Sequence, residues 1–131
     1  MTGLDTNVLV RFLVEDDEAH AERAATLIEA AVAADERLYV SDVVLCEVVW
    51  VLGGAYDFRR TEIAGVLAEL TRARHLRFDS SDRIARCVRA FEFGRGDFAD
   101  YVILEHALEA GCDRVATFDR KLLKHEGFVS P

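Results

Sequence analysis

No stretch of this sequence approaches the ~20 consecutive apolar residues that a membrane-spanning helix requires. Its first residues lack the basic stretch, long apolar core and small-residue cleavage site of a secretory leader. A chain of 131 residues that is 51% hydrophobic, with no such run, is expected to form a single domain over residues 1–131, cytoplasmic and away from membranes. Cysteine is scarce: Cys46, Cys87 and Cys112 are odd in number and form no Cys-x-x-Cys pair, so they are read as reduced core thiols. Pro131 is the only proline, so breaks in the chain rest on Gly, Ser and Asp. There is no low-complexity tract, internal repeat or linker.

Several chemistries lack their residues. His20, His75, His106 and His125 are isolated and form no ligand pair at helical spacing, which argues against zinc. No Gly-x-Ser-x-Gly occurs, no Cys sits on a strand-to-helix turn, and Gly53-Gly54 and Gly94-Arg95-Gly96 do not make a phosphate loop. Positive charge is also short. The net charge of −8 argues against phosphate binding driven by Lys and Arg alone. Carboxylates that hold divalent cations can nevertheless present positive charge to a phosphodiester. The basic residues do cluster, at Arg59-Arg60, at Arg72, Arg74, His75 and Arg77, and at Arg83, Arg86 and Arg89, although a solvated helix face is the simpler account of any one cluster.

What is present is an alternation of short apolar runs and amphipathic segments. Met1–Leu4 is long enough only for a buried strand and stops at Asp5, after which Thr6 and Asn7 can cap a helix through Leu13. A second helix opens at Glu15-Asp16-Asp17-Glu18, with Ala21, Ala24, Ala25, Ile28, Ala31 and Val32 on one face. Leu38-Tyr39-Val40 reads as a strand, and Ser41 as the cap of a helix Asp42–Leu52 that ends at Gly53-Gly54. Helices follow over Arg60–Ala73 and, capped by Ser81, over Asp82–Phe93, with Leu76-Arg77-Phe78 a strand between them. From Asp97 or Phe98 a helix runs to Ala110, and Arg114–Phe118 is a strand ending at Asp119. A last helical turn, Arg120–Leu123, and Phe128-Val129 close the chain. This order predicts an α/β fold, a sandwich around a mainly parallel sheet.

Three carboxylates stand where solvation does not explain them. Glu47 lies inside Val43–Leu52 on a helix apolar all round, with no Arg or Lys in that helix, so it is expected to be buried and to need a metal or a distant partner. Asp100 aligns with Ile103, Leu104 and Ala107 on one helix face; the helix dipole, which favours an anion in a first turn, is the simpler explanation. Asp97 either joins that face or caps the helix. Asp119 ends a strand, with Lys121 and Lys124 nearby as phosphate contacts. Asp5 ends another strand, where open α/β sheets bind ligands, or is a plain cap. Together Asp5, Glu47, Asp100 and Asp119 suggest a carboxylate cage for Mg²⁺ or Mn²⁺.

These pieces resemble a known family. Leu4-Asp5-Thr6-Asn7-Val8-Leu9, Ser41 with Glu47, Asp97-Phe98-Ala99-Asp100-Tyr101-Val102-Ile103 and Thr117-Phe118-Asp119, in this order, resemble PIN-domain ribonucleases, and specifically the toxins of VapBC-type toxin–antitoxin pairs. The resemblance implies a PIN-like three-layer α/β/α sandwich with a central sheet of four to five short strands. It implies that Asp5, Glu47, Asp100 and Asp119 bind Mg²⁺ or Mn²⁺ and cleave RNA by metal-assisted phosphodiester hydrolysis. Asp97 would be an auxiliary ligand, with Asn7 and Thr117 supporting the site by hydrogen bonds. A VapB-type antitoxin in an apolar groove of the first helices and Arg60–Ala73, and a homodimer, are further implications. Leu104-Glu105 departs from the family's usual small residues. The rival readings are a receiver-like phosphoacceptor domain, against which Asp5 lacks an acidic neighbour, and a catalytically silent PIN-like binding module.

Overall fold

The computed structural model describes residues 1–131 and divides into two compact units, Met1–Ser80 and Ser81–Pro131. The first contains β1 (Thr2–Gly3), α1 (Thr6–Leu13), α2 (Glu18–Ala33), β2 (Leu38–Val40), α3 (Asp42–Gly54), α4 (Arg60–Arg72) and β3 (Leu76–Phe78). The second contains α5 (Ser81–Phe93), α6 (Phe98–Glu109), β4 (Val115–Ala116) and β5 (Phe128–Val129). No helix is long and apolar enough to cross a membrane.

In the first unit the strands form a parallel sheet in the order β1-β2-β3, with Thr2 opposite Leu38 and Tyr39 opposite Arg77. The amide of Leu4 continues the first ladder by donating to the Tyr39 carbonyl at 2.8 Å, which carries extended backbone up to Asp5. Helices connect the strands, as parallel pairing demands. Leu38 and Val40 on β2 are buried with Leu9, Leu45, Val48, Leu52 and Leu67 from α1, α3 and α4. Ala24 and Ala31 are the buried members of the α2 stripe, whereas Val32 is exposed. Ser41 caps α3 as expected, its hydroxyl accepting from the Val44 amide at 3.2 Å.

In the second unit β4 and β5 pair in parallel as a separate sheet, so the five parallel strands are shared between two sheets instead of one. The Arg120–Leu123 segment forms hydrogen-bonded turns without helix. Phe91 and Phe98 meet edge to face with ring centroids 6.1 Å apart, and Phe98 is fully buried, a contribution of about 2–3 kcal/mol. Leu104 explains its own size. It occupies the space beside Gly127, where a Cβ would lie 2.8 Å from Leu104 Cδ1, and Gly127 has φ of +103°, so glycine is required twice over. Glu105 pairs with Arg86 at 3.0 Å, and the buried Arg83 with Glu109 at 2.7 Å, tying α5 to α6. Cys46 and Cys87 are buried thiols in no disulfide; Cys112, also in no disulfide, is exposed, because it follows the positive-φ turn at Gly111 and lies beyond the packed face of α6.

Candidate functional site

Asp5 joins β1 to α1. Its backbone is extended (φ −80°, ψ 159°) and its Oδ1 accepts the Thr6 amide hydrogen at 2.8 Å, so Asp5 itself is the N-cap of α1, in place of Thr6 or Asn7. The residue remains exposed, with its carboxylate at the positive end of the helix dipole. Thr6, the first helical residue, is buried, and its hydroxyl donates to Oε1 of Glu47 at 3.2 Å. One residue fixed by cap geometry therefore contacts both Asp5 and Glu47.

Glu47 is exposed, which corrects its expected burial. The helix holds more apolar residues than one buried face can take. Leu45, Cys46, Val48, Val49 and Leu52 are buried, and the remaining row, Val43, Glu47 and Trp50, faces outward, with Val43 68% and Trp50 54% exposed. The reason to single out Glu47 is thus its bond to Thr6 and not desolvation.

In the second unit, Asp97 and Asp100 form a capping box at the start of α6. Asp97 Oδ1 accepts from the Phe98 amide at 2.9 Å, and the Asp97 amide donates to Asp100 Oδ2 at 2.8 Å. The structure thus shows Asp97 in the capping role, with its own amide held by Asp100. The preceding loop sets this start: the Gly96 amide donates to the Tyr101 hydroxyl at 2.9 Å, and a Cβ on Gly94 or Gly96 would collide with that phenol. Asp119 sits in a turn after β4. Its amide donates to Thr117 Oγ1 at 3.0 Å, its Oδ1 accepts from the Lys121 amide at 3.0 Å, and Lys121 Nζ is 3.9 Å from its other oxygen.

The structure thus brings together Asp5, Thr6 and Glu47 in one unit, and Asp97 with Asp100, and Thr117 with Asp119, in the other. Asn7 is exposed and lines a groove; the side-chain bond to Glu47 comes from Thr6, which sequence reasoning treated only as a cap. A hydroxyl residue directly after a strand-ending Asp was the signal available. Within each unit no group of three or more His, Cys, Asp or Glu side chains is gathered closely enough to hold a metal ion. The acids offer oxygen donors alone, the type hard divalent cations prefer, and at Asp5, Asp100 and Asp119 a hydrogen bond engages one carboxylate oxygen each.

Two grooves flank α1. One, of about 450 Å³, is lined by Asn7, Val8, Arg11, His20, Arg23 and Leu27. The other, of about 440 Å³, lies between Phe12 and Leu13 of α1 and Val66, Glu69 and Leu70 of α4. Four of the clustered arginines are committed to acidic neighbours: Arg59 to Glu62 at 3.1 Å, Arg74 to Asp35 at 3.8 Å, and Arg83 and Arg86 as described.

The PIN domain family model matches residues 4–127, running through both units, and the chain belongs to the PIN domain family. It is similar to a VapC ribonuclease of Aquifex aeolicus (strain VF5), with 26% identity over 124 residues that cover 95% of this chain and 91% of that protein. Membership of this family removes the receiver-like alternative.

Proposed function

We propose that the protein is a divalent-metal-dependent endoribonuclease and the toxin of a toxin–antitoxin pair, with Asp5, Glu47, Asp100 and Asp119 acting together as the acidic site for Mg²⁺ or Mn²⁺. The observation that carries this reading is the contact of Thr6 with both Asp5 and Glu47, in a chain whose family match runs the length of the proposed quartet. The similarity to a VapC ribonuclease supports RNA as the substrate. When bound, a divalent cation supplies a Lewis acid that polarises a phosphoryl oxygen and acidifies water. Thr6 holds the Glu47 carboxylate in place; the turn at Thr117 and Lys121 fixes Asp119; the capping box fixes Asp100 and leaves Asp97 as an auxiliary ligand. Arg23 beside Asn7, with Arg11 next to it and paired to Asp16, offers positive charge for the RNA backbone. The apolar groove between α1 and α4 is the proposed seat of a VapB-type antitoxin, and a cytoplasmic homodimer is the proposed form.

The test is cleavage of single-stranded RNA with Mg²⁺ or Mn²⁺. Asp5→Asn removes the charge while keeping a good N-cap, so activity should disappear with little change in melting temperature. Equal cleavage by parent and variant, or cleavage that persists in excess EDTA, would overturn the metal-dependent reading. An inactive parent that still binds RNA would support the silent binding module.

A further inference from the structure

Three successive backbone amides at the start of α6 are held by side chains of the same segment. The Gly96 amide donates to the Tyr101 hydroxyl at 2.9 Å, the Asp97 amide to Asp100 Oδ2 at 2.8 Å and the Phe98 amide to Asp97 Oδ1 at 2.9 Å. The last two belong to the capping box, and the first lies outside it. It joins the residue before the cap to the fourth residue of the helix, the two positions that an apolar staple connects in other helices. Gly96 has no side chain to pack there, and a hydroxyl bonded to its amide takes that place.

Packing alone does not account for a tyrosine at this position. Its ring is 2% exposed and lies 5.0 Å from that of His125, centroid to centroid, a contact that phenylalanine would supply equally. The hydroxyl is what tyrosine adds, and burying a hydroxyl is costly unless it is bonded. The loop is shaped around this oxygen: a Cβ on Gly96 would lie 2.9 Å from it, and one on Gly94 would strike it. What the bond controls is Gly96 itself, since glycine leaves the chain before the cap the widest choice of φ and ψ. With its own amide on Tyr101 and the next amide on Asp100, Gly96 is fixed at both ends. Gly96 and Tyr101 are buried, whereas Asp97 and Asp100 are half-buried and reach solvent.

Resting on the metal-dependent reading above, we infer that Tyr101 is a positioning residue, whose hydroxyl acts through Gly96 and Asp97 to hold the Asp100 carboxylate in the orientation a divalent cation meets. A partner one step removed from a ligand raises metal affinity by removing beforehand the freedom that binding would otherwise take away.

The test titrates Mn²⁺ alone into the 131-residue chain by calorimetry, beside thermal melts and amide hydrogen exchange. Tyr101→Phe keeps the ring and removes the bond to Gly96; it should weaken Mn²⁺ binding by about 10-fold or more and speed exchange of the Asp97 amide. Gly127→Ala, which strains the same unit against Leu104, gauges a purely structural loss: it should lower the melting temperature and leave Mn²⁺ affinity unchanged. Gly96→Ala sets a methyl against the same hydroxyl and should weaken Mn²⁺ binding as Tyr101→Phe does. Should Tyr101→Phe fail to fold, the same comparison made with Gly96→Ala decides. Mn²⁺ bound by Tyr101→Phe as tightly as by its parent, or weakened no more than in Gly127→Ala, would overturn the positioning role and leave the metal-dependent reading intact. A parent chain that binds no Mn²⁺ would overturn both.

Discussion

The hydroxyl of Thr6 donates to Oε1 of Glu47 at 3.2 Å, linking the start of α1 to the middle of α3. Because the Thr6 amide is already bonded to Asp5, this hydroxyl links Asp5 to Glu47 through Thr6, and it can be tested separately from either carboxylate.

Thr6→Val keeps the buried shape and removes the bond. Glu47 is exposed, so the stability loss should be small, about 0.5–1.5 kcal/mol. Cleavage should fall by at least about tenfold through misplacement of Glu47, and Thr6→Ser should recover it. Steady-state rates and thermal melts of the three proteins measure this; unchanged rates in Thr6→Val would remove Thr6 from the site as a positioning residue.

Asp97 can be divided into its two roles. Asp97→Ser preserves an N-cap and deletes the carboxylate, whereas Asp97→Ala deletes both and should cost ~1 kcal/mol of stability. If Asp97 is an auxiliary ligand, both variants need more Mg²⁺ for half-maximal cleavage. A Mg²⁺ requirement raised in neither variant confines Asp97 to the cap.

Gly127→Ala should destabilise the second unit by about 1–3 kcal/mol, since it sets a side chain at φ +103° and against Leu104. Adding Leu104→Ala opens the space but not the backbone, so the double variant should stay less stable than Leu104→Ala alone. Denaturant melts of the four chains read the coupling.

A pH dependence follows from the cluster of Arg11, Asp16 and Tyr56. The Tyr56 hydroxyl donates to Asp16 at 2.6 Å and, with the Arg11 guanidinium at 2.9 Å, holds the Asp16 carboxyl below its ordinary range; Tyr56 is raised in turn by the same bond. A depressed carboxyl contributes stability that is present above its unfolded pKa of about 3.9 and lost as pH falls through the folded value. The raised phenol contributes below its unfolded pKa of about 10, and this is lost as pH climbs through the folded value. Tyr56→Phe should therefore melt below the parent near neutral pH, with a gap that narrows in strong acid and in strong alkali. A gap constant from pH 2 to 11 would show that these charges do not carry the effect.

Much of the fold was legible because it rests on local chemistry. Leu76–Phe78 is a strand, Ser41 is a cap, and Gly111 ends α6 with φ +97°, each for the reason its residue type implies. What was illegible depends on choices among equals. In α3 nearly every residue is apolar, and no periodicity says which row will face out, so Glu47 was expected inside and proved exposed. Strands of two or three residues carry too little pattern to reveal that β4 and β5 pair apart from β1 to β3. At the site, the residue types of Asp5 and Asp97 announced a helix start, but which neighbour each would grip, Thr6 above all, depends on side-chain directions that spacing alone does not give.

The caps at Asp5 and Asp97 bear on how such a protein changes over time. An N-cap asks only for a side-chain oxygen, and asparagine serves nearly as well as aspartate. A metal ligand asks for the charge. Exchange of Asp for Asn, one nucleotide apart in the genetic code, is therefore almost invisible to folding and decisive for the proposed chemistry. A lineage carrying this chain can lose the proposed activity in a single step and keep an intact scaffold.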